Sequence, residues 1–259
     1  MMRHAVTALL LLGMTMLATP ATAEHLVLSL SNHRVMVTSS FAGEELVLFG
    51  SVERDNATAA HRGGYDIVVT VTGPRETDRT RRKQRVLGVW VNVETRLFLN
   101  VPSYLAVLSN KAVETIADHE TLRRQQAGLD NVLLPQRIGP DTADVVHDDA
   151  FRVAFLRLKE EHGLYFDEPS GVTFLTPTLF RASIPLPANV PFGTYDVDVK
   201  LFADSAMIAR STSALEIIKV GFEQFVADAA HEHGLLYGLA TAMMALLTGW
   251  LASVVFRRD

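Results

Sequence analysis

From Leu235 to Phe256 the chain runs 22 residues without a charged side chain. As a helix rising 1.5 Å per residue it would be ~33 Å long, against a hydrocarbon core of ~30 Å, so the sequence predicts a membrane span. Its six leucines, two valines and one phenylalanine each favour insertion by about 0.3–0.6 kcal/mol. The polar exceptions are Tyr237, Thr241, Thr248, Trp250 and Ser253. Arg257 and Arg258 follow at once, whereas Asp228 and Glu232 precede, so the positive-inside rule places the tail 257–259 in the cytoplasm.

A second apolar run, Ala5 to Ala18, follows Arg3 and His4 and leads into Pro20-Ala21-Thr22-Ala23 before Glu24. It is short for a span and ends on an A-x-A pattern, so 1–23 reads as a cleaved secretory signal, an uncleaved anchor helix being the alternative. The two ends together predict a single-pass protein of the bacterial inner membrane. Residues 24–220 form its periplasmic ectodomain, 221–234 an amphipathic juxtamembrane segment (Phe222, Phe225, Val226, Ala229, Ala230) and 235–256 its transmembrane helix. Setting aside Arg3 with the signal, and Arg257, Arg258 and Asp259 beyond the span, leaves 21 of 24 basic and 28 of 29 acidic residues, a net of −7. An acidic ectodomain argues against nucleic acid as partner. With no cysteine, disulfides, thiol nucleophiles and thiolate metal sites are excluded.

The ectodomain reads as short alternating strands: Leu26/Leu28/Leu30, Val35/Val37, Leu46 to Phe49, and Tyr65/Ile67/Val69/Val71 ended by Gly73-Pro74. After a basic interval, Leu87/Val89/Val91/Val93 predict another strand with one face in the core. The period then changes. Asn110 is placed to cap a helix over about 111–127, and Asp144 one carrying Val146, Ala150, Phe151, Ala154, Phe155 and Leu158, stopped by Gly163. Strands resume at Val172, Leu179, Tyr195 and Met207. The proline-rich corner before Tyr195-Asp196-Val197 has the look of a late hairpin in an immunoglobulin-like sandwich. The expected fold is therefore mainly β, one immunoglobulin-like sandwich or two, with a two-helix insertion at about 111–163 and one C-terminal transmembrane helix.

Gly73-Pro74-Arg75, Arg81-Arg82-Lys83, Gly88-Val89-Trp90-Val91-Asn92, Val101-Pro102-Ser103-Tyr104 and Pro191-Phe192-Gly193-Thr194-Tyr195, in this order, carry a resemblance. The chain resembles the alphaproteobacterial putative transmembrane protein family, which has no assigned activity, over nearly the whole mature length. The resemblance implies a partner, a polytopic transporter of the sulfite-exporter class, and no catalytic residue.

Among candidate sites, Arg75, Arg79, Arg81, Arg82, Lys83 and Arg85 place six cations in eleven residues, diluted by Glu76 and Asp78. Guanidinium forks in such density suit an oxyanion, a headgroup or an acidic partner, with Trp90 and Asn92 joining if their face lines the same groove. The plainer reading is a solvated hairpin, with Trp90 in the core. In the span, Thr241, Ala245, Gly249 and Ser253 recur every four residues beside Gly238 and Ala242, a small-residue stripe that lets another helix approach and would also serve self-association. His231 and His233 diverge by about 200° on a helix and cannot share one ion, and the carboxylates around His147 suit a helix N-terminus, so no metal is expected. No H-E-x-x-H, G-x-S-x-G, phosphate loop or dinucleotide fingerprint occurs. The expected function is accordingly non-enzymatic and without cofactor: an accessory or assembly subunit of a membrane transport system. The alternative is a self-sufficient periplasmic anion- or metal-binding domain, and the third a periplasmic hydrolase.

Overall fold

A computed structural model describes residues 24–53, 64–138, 141–144, 149–221, 230–231 and 233–255. The signal 1–23, His147, most of the juxtamembrane segment, Arg257 and Arg258 lie outside the described residues. Fourteen strands among them form three sheets. The first sheet runs in the order β1 (His25–Leu30), β3 (Glu44–Glu53), β12 (Leu179–Leu186), β11 (Val172–Phe174), all antiparallel. The second is mixed and six-stranded. Its order is β10 (Tyr165–Glu168), β7 (Leu105–Ser109), β4 (Asp66–Thr72), β13 (Gly193–Ala203), β14 (Ala206–Lys219), β2 (Arg34–Val37), with β10–β7 and β14–β2 parallel. The third joins β5 (Arg75–Val86), β6 (Val89–Pro102), β8 (Pro135–Ile138) and β9 (Asp141–Asp144).

The first two sheets pack face to face over a core that includes Leu26, Leu48, Val52, Ile67, Val69, Val71, Phe180, Ile184, Tyr195, Val197 and Leu201. The alternate residues of the second sheet face the other way, into a separate core. There Val68, Leu105, Val107 and Phe202 meet Phe98 and Val101 from the base of β6 and Ile116, Leu122, Leu134, Phe151 and Phe155 from the segment between β7 and β10. The second sheet is thus covered on both faces, which is why β4 and β7 read as continuous apolar runs. A 10-residue β3 alternates cleanly instead. Its Gly50 is required because the Phe180 ring lies where a Cβ would be, as near as 2.1 Å.

Three expectations are corrected. The helix expected over 111–127 is instead a 3₁₀ turn (Val113–Thr115), a six-residue α1 (His119–Arg124) and a second 3₁₀ turn (Leu129–Asn131). Its cap is Asp118, whose carboxylate accepts from Thr121 N at 3.1 Å. Asn110 bonds the neighbouring strand, accepting from Ile67 N at 2.8 Å and donating to Asp66 at 3.1 Å. The second helix, α2 (Ala150–Glu161), is capped by Asp149 while Asp144 sits in β9, and Val146 falls outside the described residues. α2 ends at Gly163 with φ +68°, as expected. Its buried face is Phe151, Arg152, Phe155 and Lys159, with Leu158 exposed, so two cations replace the predicted apolar positions. Third, the insertion contains β8 and β9 as well as helices, and these strands extend the β5–β6 hairpin rather than the sandwich.

At the C-terminal end α3 (Gly234–Val255) is 22 residues long and uncharged, with its described side chains exposed. Among the described residues no helix is long and apolar enough to cross a membrane.

Candidate functional site: a cationic hairpin

The basic interval is a strand in its own right, not a connection. β5 pairs with β6 along its length, from Arg75↔Pro102 to Val86↔Val89, around a two-residue turn at Leu87-Gly88. The register shifts between Arg82↔Glu94 and Lys83↔Asn92, so Val93 is an extra residue. That shift sets the composition of each face. Alternation puts Arg79, Arg81, Lys83 and Arg85 on one side of β5, and across from them stand Leu97, Thr95, Asn92 and Trp90. The structure therefore brings Trp90 and Asn92 onto the cationic face.

The expected core face of Leu87, Val89, Val91 and Val93 is also corrected. Val89 is 63% exposed, Trp90 67% and Leu87 100%. Among the described residues no other strand pairs with this end of the hairpin, since β8 meets β6 only at Leu97 and Phe98. Among the described residues neither Trp90 nor the valines around it belong to a core cluster.

The six cations play unequal parts. Arg75 donates to Asn100 O at 3.0 Å and Arg85 to Gly88 O at 3.3 Å, bracing the two ends of the hairpin. Arg82 pairs with Glu94 at 3.3 Å, and Glu94 also meets Arg96, which reaches Asp149 at the start of α2 at 3.0 Å. Among the described residues, the exposed Arg79, Arg81 and Lys83 form no ion pair. A groove of about 500 Å³ runs beside Arg79 and Arg81, lined also by Thr77, Asp78, Thr80, Leu97 and Leu158. Their chemistry is donor chemistry, suited to anions.

Lys159 fixes α2 against the base of β5. Its ammonium, on a residue 7% exposed, lies 3.0 Å from Glu76 and 2.9 Å from Asp78, over the rings of Phe155 and Tyr165. Burial works to raise the pKa of Asp78, but the hydrogen bond from Lys159, the Arg79 N–H and the charges of Lys159 and His162 outweigh it and hold the carboxyl below its usual range. Arg152, 2% exposed, donates to the carbonyls of Asp130 at 2.9 Å and Val132 at 2.7 Å. Neither cation was legible as a structural residue in the sequence.

A second pocket, of about 290 Å³, gathers Glu114, His119, Asp130, Asn131, Glu160 and Asp167. Desolvation against this pocket, with like charge from Glu114, Asp130 and Glu168, pushes Asp167 up to about 6. Among the described residues no group of three or more potential ligands is placed to hold a metal ion. His231 and His233 are exposed beside α3.

Three of the five segments that carried the resemblance, 73–75, 101–104 and 191–195, converge on one corner of the sandwich. Gly73 N donates to Tyr104 O at 2.8 Å and Ser103 N to Pro74 O at 2.9 Å. A Cβ on Gly73 would meet Ser103, Tyr104 and Tyr195 at 3.0 Å, and Gly193, at φ +139°, sits against Pro74. These residues build the fold.

On α3 the small residues Gly238, Thr241, Ala242, Ala245, Gly249 and Ser253 lie on one side, with open space at Gly238 and Gly249. Thr241 donates its hydroxyl to Gly238 O at 3.0 Å and Thr248 to Met244 O at 2.8 Å.

A β-rich body with a projecting basic hairpin and a terminal apolar helix defines the class. Residues 25–258 match the putative transmembrane protein family, alphaproteobacterial by name, and the chain belongs to that family. No curated protein matches the chain.

Proposed function

We propose that the chain is a non-enzymatic, single-span protein of the bacterial inner membrane. Its β-rich body lies in the periplasm and α3 is the tether, and it serves as an accessory or assembly subunit of a membrane transport system. The observation that supports this reading best is α3 itself. Its 22 residues carry no charge, both threonine hydroxyls are satisfied by the helix's own carbonyls as a hydrocarbon environment demands, and its small-residue side is open to another helix. For the two-sheet part of the body we favour an immunoglobulin-like description, supported by the Tyr195 hydroxyl donating to Pro191 O four residues upstream at 2.6 Å.

The test is crosslinking in cells, gentle detergent extraction and mass spectrometry of what accompanies the tagged full chain. Recovery of one polytopic transporter, lost in the Ala245→Leu/Gly249→Leu variant, is the expected result. Recovery of the protein alone overturns the subunit reading.

A second reading, a self-sufficient anion-binding domain, is favoured by the groove beside Arg79 and Arg81. It requires saturable binding of inorganic sulfate by the full chain, abolished by reversing Arg81, Arg82 and Lys83 to Glu.

A further inference from the structure

Among the described residues the β5–β6 hairpin pairs with no third strand beyond Leu97, and α2 lies beside β5 only as far as Lys83. At ~3.4 Å per residue the ten residues from Leu97 to Leu87 carry it ~34 Å outward. A lone two-stranded ribbon is at best marginally stable, and large exposed apolar groups at its end add nothing to its folding. Yet the end is apolar: Val86 is 45% exposed, Val89 63% and Leu87 wholly so.

The turn itself is a second, independent observation. Leu87 and Gly88 have φ of +49° and +87° between the paired Val86 and Val89, the two-residue arrangement that favours Asn-Gly. A leucine in the left-handed region costs about 1–2 kcal/mol, and with its side chain entirely in water no packing compensates. Strain held at an exposed tip points to contact with something outside the chain.

The order of residues along the ribbon says what that is. The apolar turn comes first, then Trp90 across from Arg85, then Asn92 across from Lys83, then Arg81 and Arg79 on the same face. This is the order of a bilayer surface entered from water: acyl chains, the interfacial layer that tryptophan favours, and anionic headgroups that attract Lys and Arg. An acidic protein would call for the cations but for no such depth order.

We propose that the tip of the β5–β6 hairpin inserts into the surface of an anionic phospholipid bilayer, Leu87 and Trp90 entering and Lys83, Arg81 and Arg79 holding headgroups. The proposal rests on the membrane-tethered reading above, which puts a bilayer within reach.

The chain has two tryptophans, Trp90 and Trp250, so Trp250→Phe makes Trp90 the sole reporter. The full-length variant is reconstituted into vesicles of phosphatidylcholine, with or without phosphatidylglycerol, bearing brominated acyl chains. In phosphatidylglycerol vesicles Trp90 emission should be quenched by the bromine and shielded from aqueous acrylamide, and added salt should reverse both. Replacing Arg81 or Lys83 by Gln should weaken the effect on the order of fivefold each. Leu87→Asn, which suits the turn and preserves the fold, should lower quenching.

Trp90 equally open to acrylamide in both kinds of vesicle overturns the proposal, as does undiminished quenching in Leu87→Asn. Protection that needs added membrane proteins rather than lipid overturns it in favour of a protein partner. Carbonate extraction of the same vesicles reads the α3 tether by itself, so release there, with Trp90 still quenched by lipid, defeats the tether and not the hairpin contact.

Discussion

Lys159 on α2 places its ammonium 2.9 Å from the Asp78 carboxylate on β5, joining the helix of the insertion to the foot of the projecting hairpin. The lysine is buried, and its two carboxylate partners keep more contact with solvent. Lys159→Ala removes that charge, its packing over Phe155 and the link to β5. We expect a loss of about 2–3 kcal/mol, read as a lower urea midpoint for the detergent-solubilised full chain. Asp78→Asn should cost less, since Glu76 remains at 3.0 Å.

Arg152 offers a sharper case. Truncation to Ala leaves the carbonyls of Asp130 and Val132 without these bonds and opens a cavity beside Phe151. A loss of about 3 kcal/mol is expected, and Arg152→Lys should recover only part of it because one ammonium cannot reproduce the guanidinium's geometry. Thermal denaturation of the three proteins side by side decides this.

Gly50 tests packing in the first sheet. With the Phe180 ring 2.1–2.8 Å from the position of its absent Cβ, Gly50→Ala forces that buried ring to move and should cost about 1–3 kcal/mol. The paired change Gly50→Ala/Phe180→Leu should cost less than the sum of the two single changes, which a double-mutant cycle measures.

The pH dependence has two windows of opposite sign. Asp167, raised to about 6 from an ordinary value of 3.8, binds its proton more tightly folded than unfolded. Its contribution to stability is therefore full below about 3.8 and falls away as pH rises through about 6. Because Asp167 is exposed at the pocket rim, solvent screening holds the effect to about 1 kcal/mol or less. Asp78, held below its ordinary value, stabilises the fold above 3.8, and that stability is lost as pH falls through its folded value. Urea midpoints across pH 4–8 should decline toward neutrality in the wild type and be flatter in Asp167→Asn.

Much of the sandwich was legible because a half-buried strand announces itself by alternation, as β3 does. The strand β5 was not, since eleven of its twelve residues lack a buried side chain and an exposed ribbon leaves no apolar period to read. The run Val89 to Val93 alternates like a core strand although its side chains are exposed, because period alone states which residues share a face and not what that face meets. The inward face of α2 misled for the reverse reason. Arg152 and Lys159 look like solvated positions, and only the carbonyls and carboxylates waiting across the interface make them interior ones. The candidate cations were recognised by number in the sequence. Their sorting into one face with Trp90 depended on a one-residue shift at Val93 that no composition reveals.

The parallel partnership of β14 with β2 also bears on how the body answers a pull. β14 is the last described strand before the apolar helix, flanked by β13 from Ala206 to Ile217 and by β2 from Glu216 to Lys219. A pull applied along the axis of β14 shears the hydrogen bonds to β13 and β2 together rather than unzipping them one at a time. The strand nearest the helix is therefore the one best placed to carry mechanical load into the sandwich.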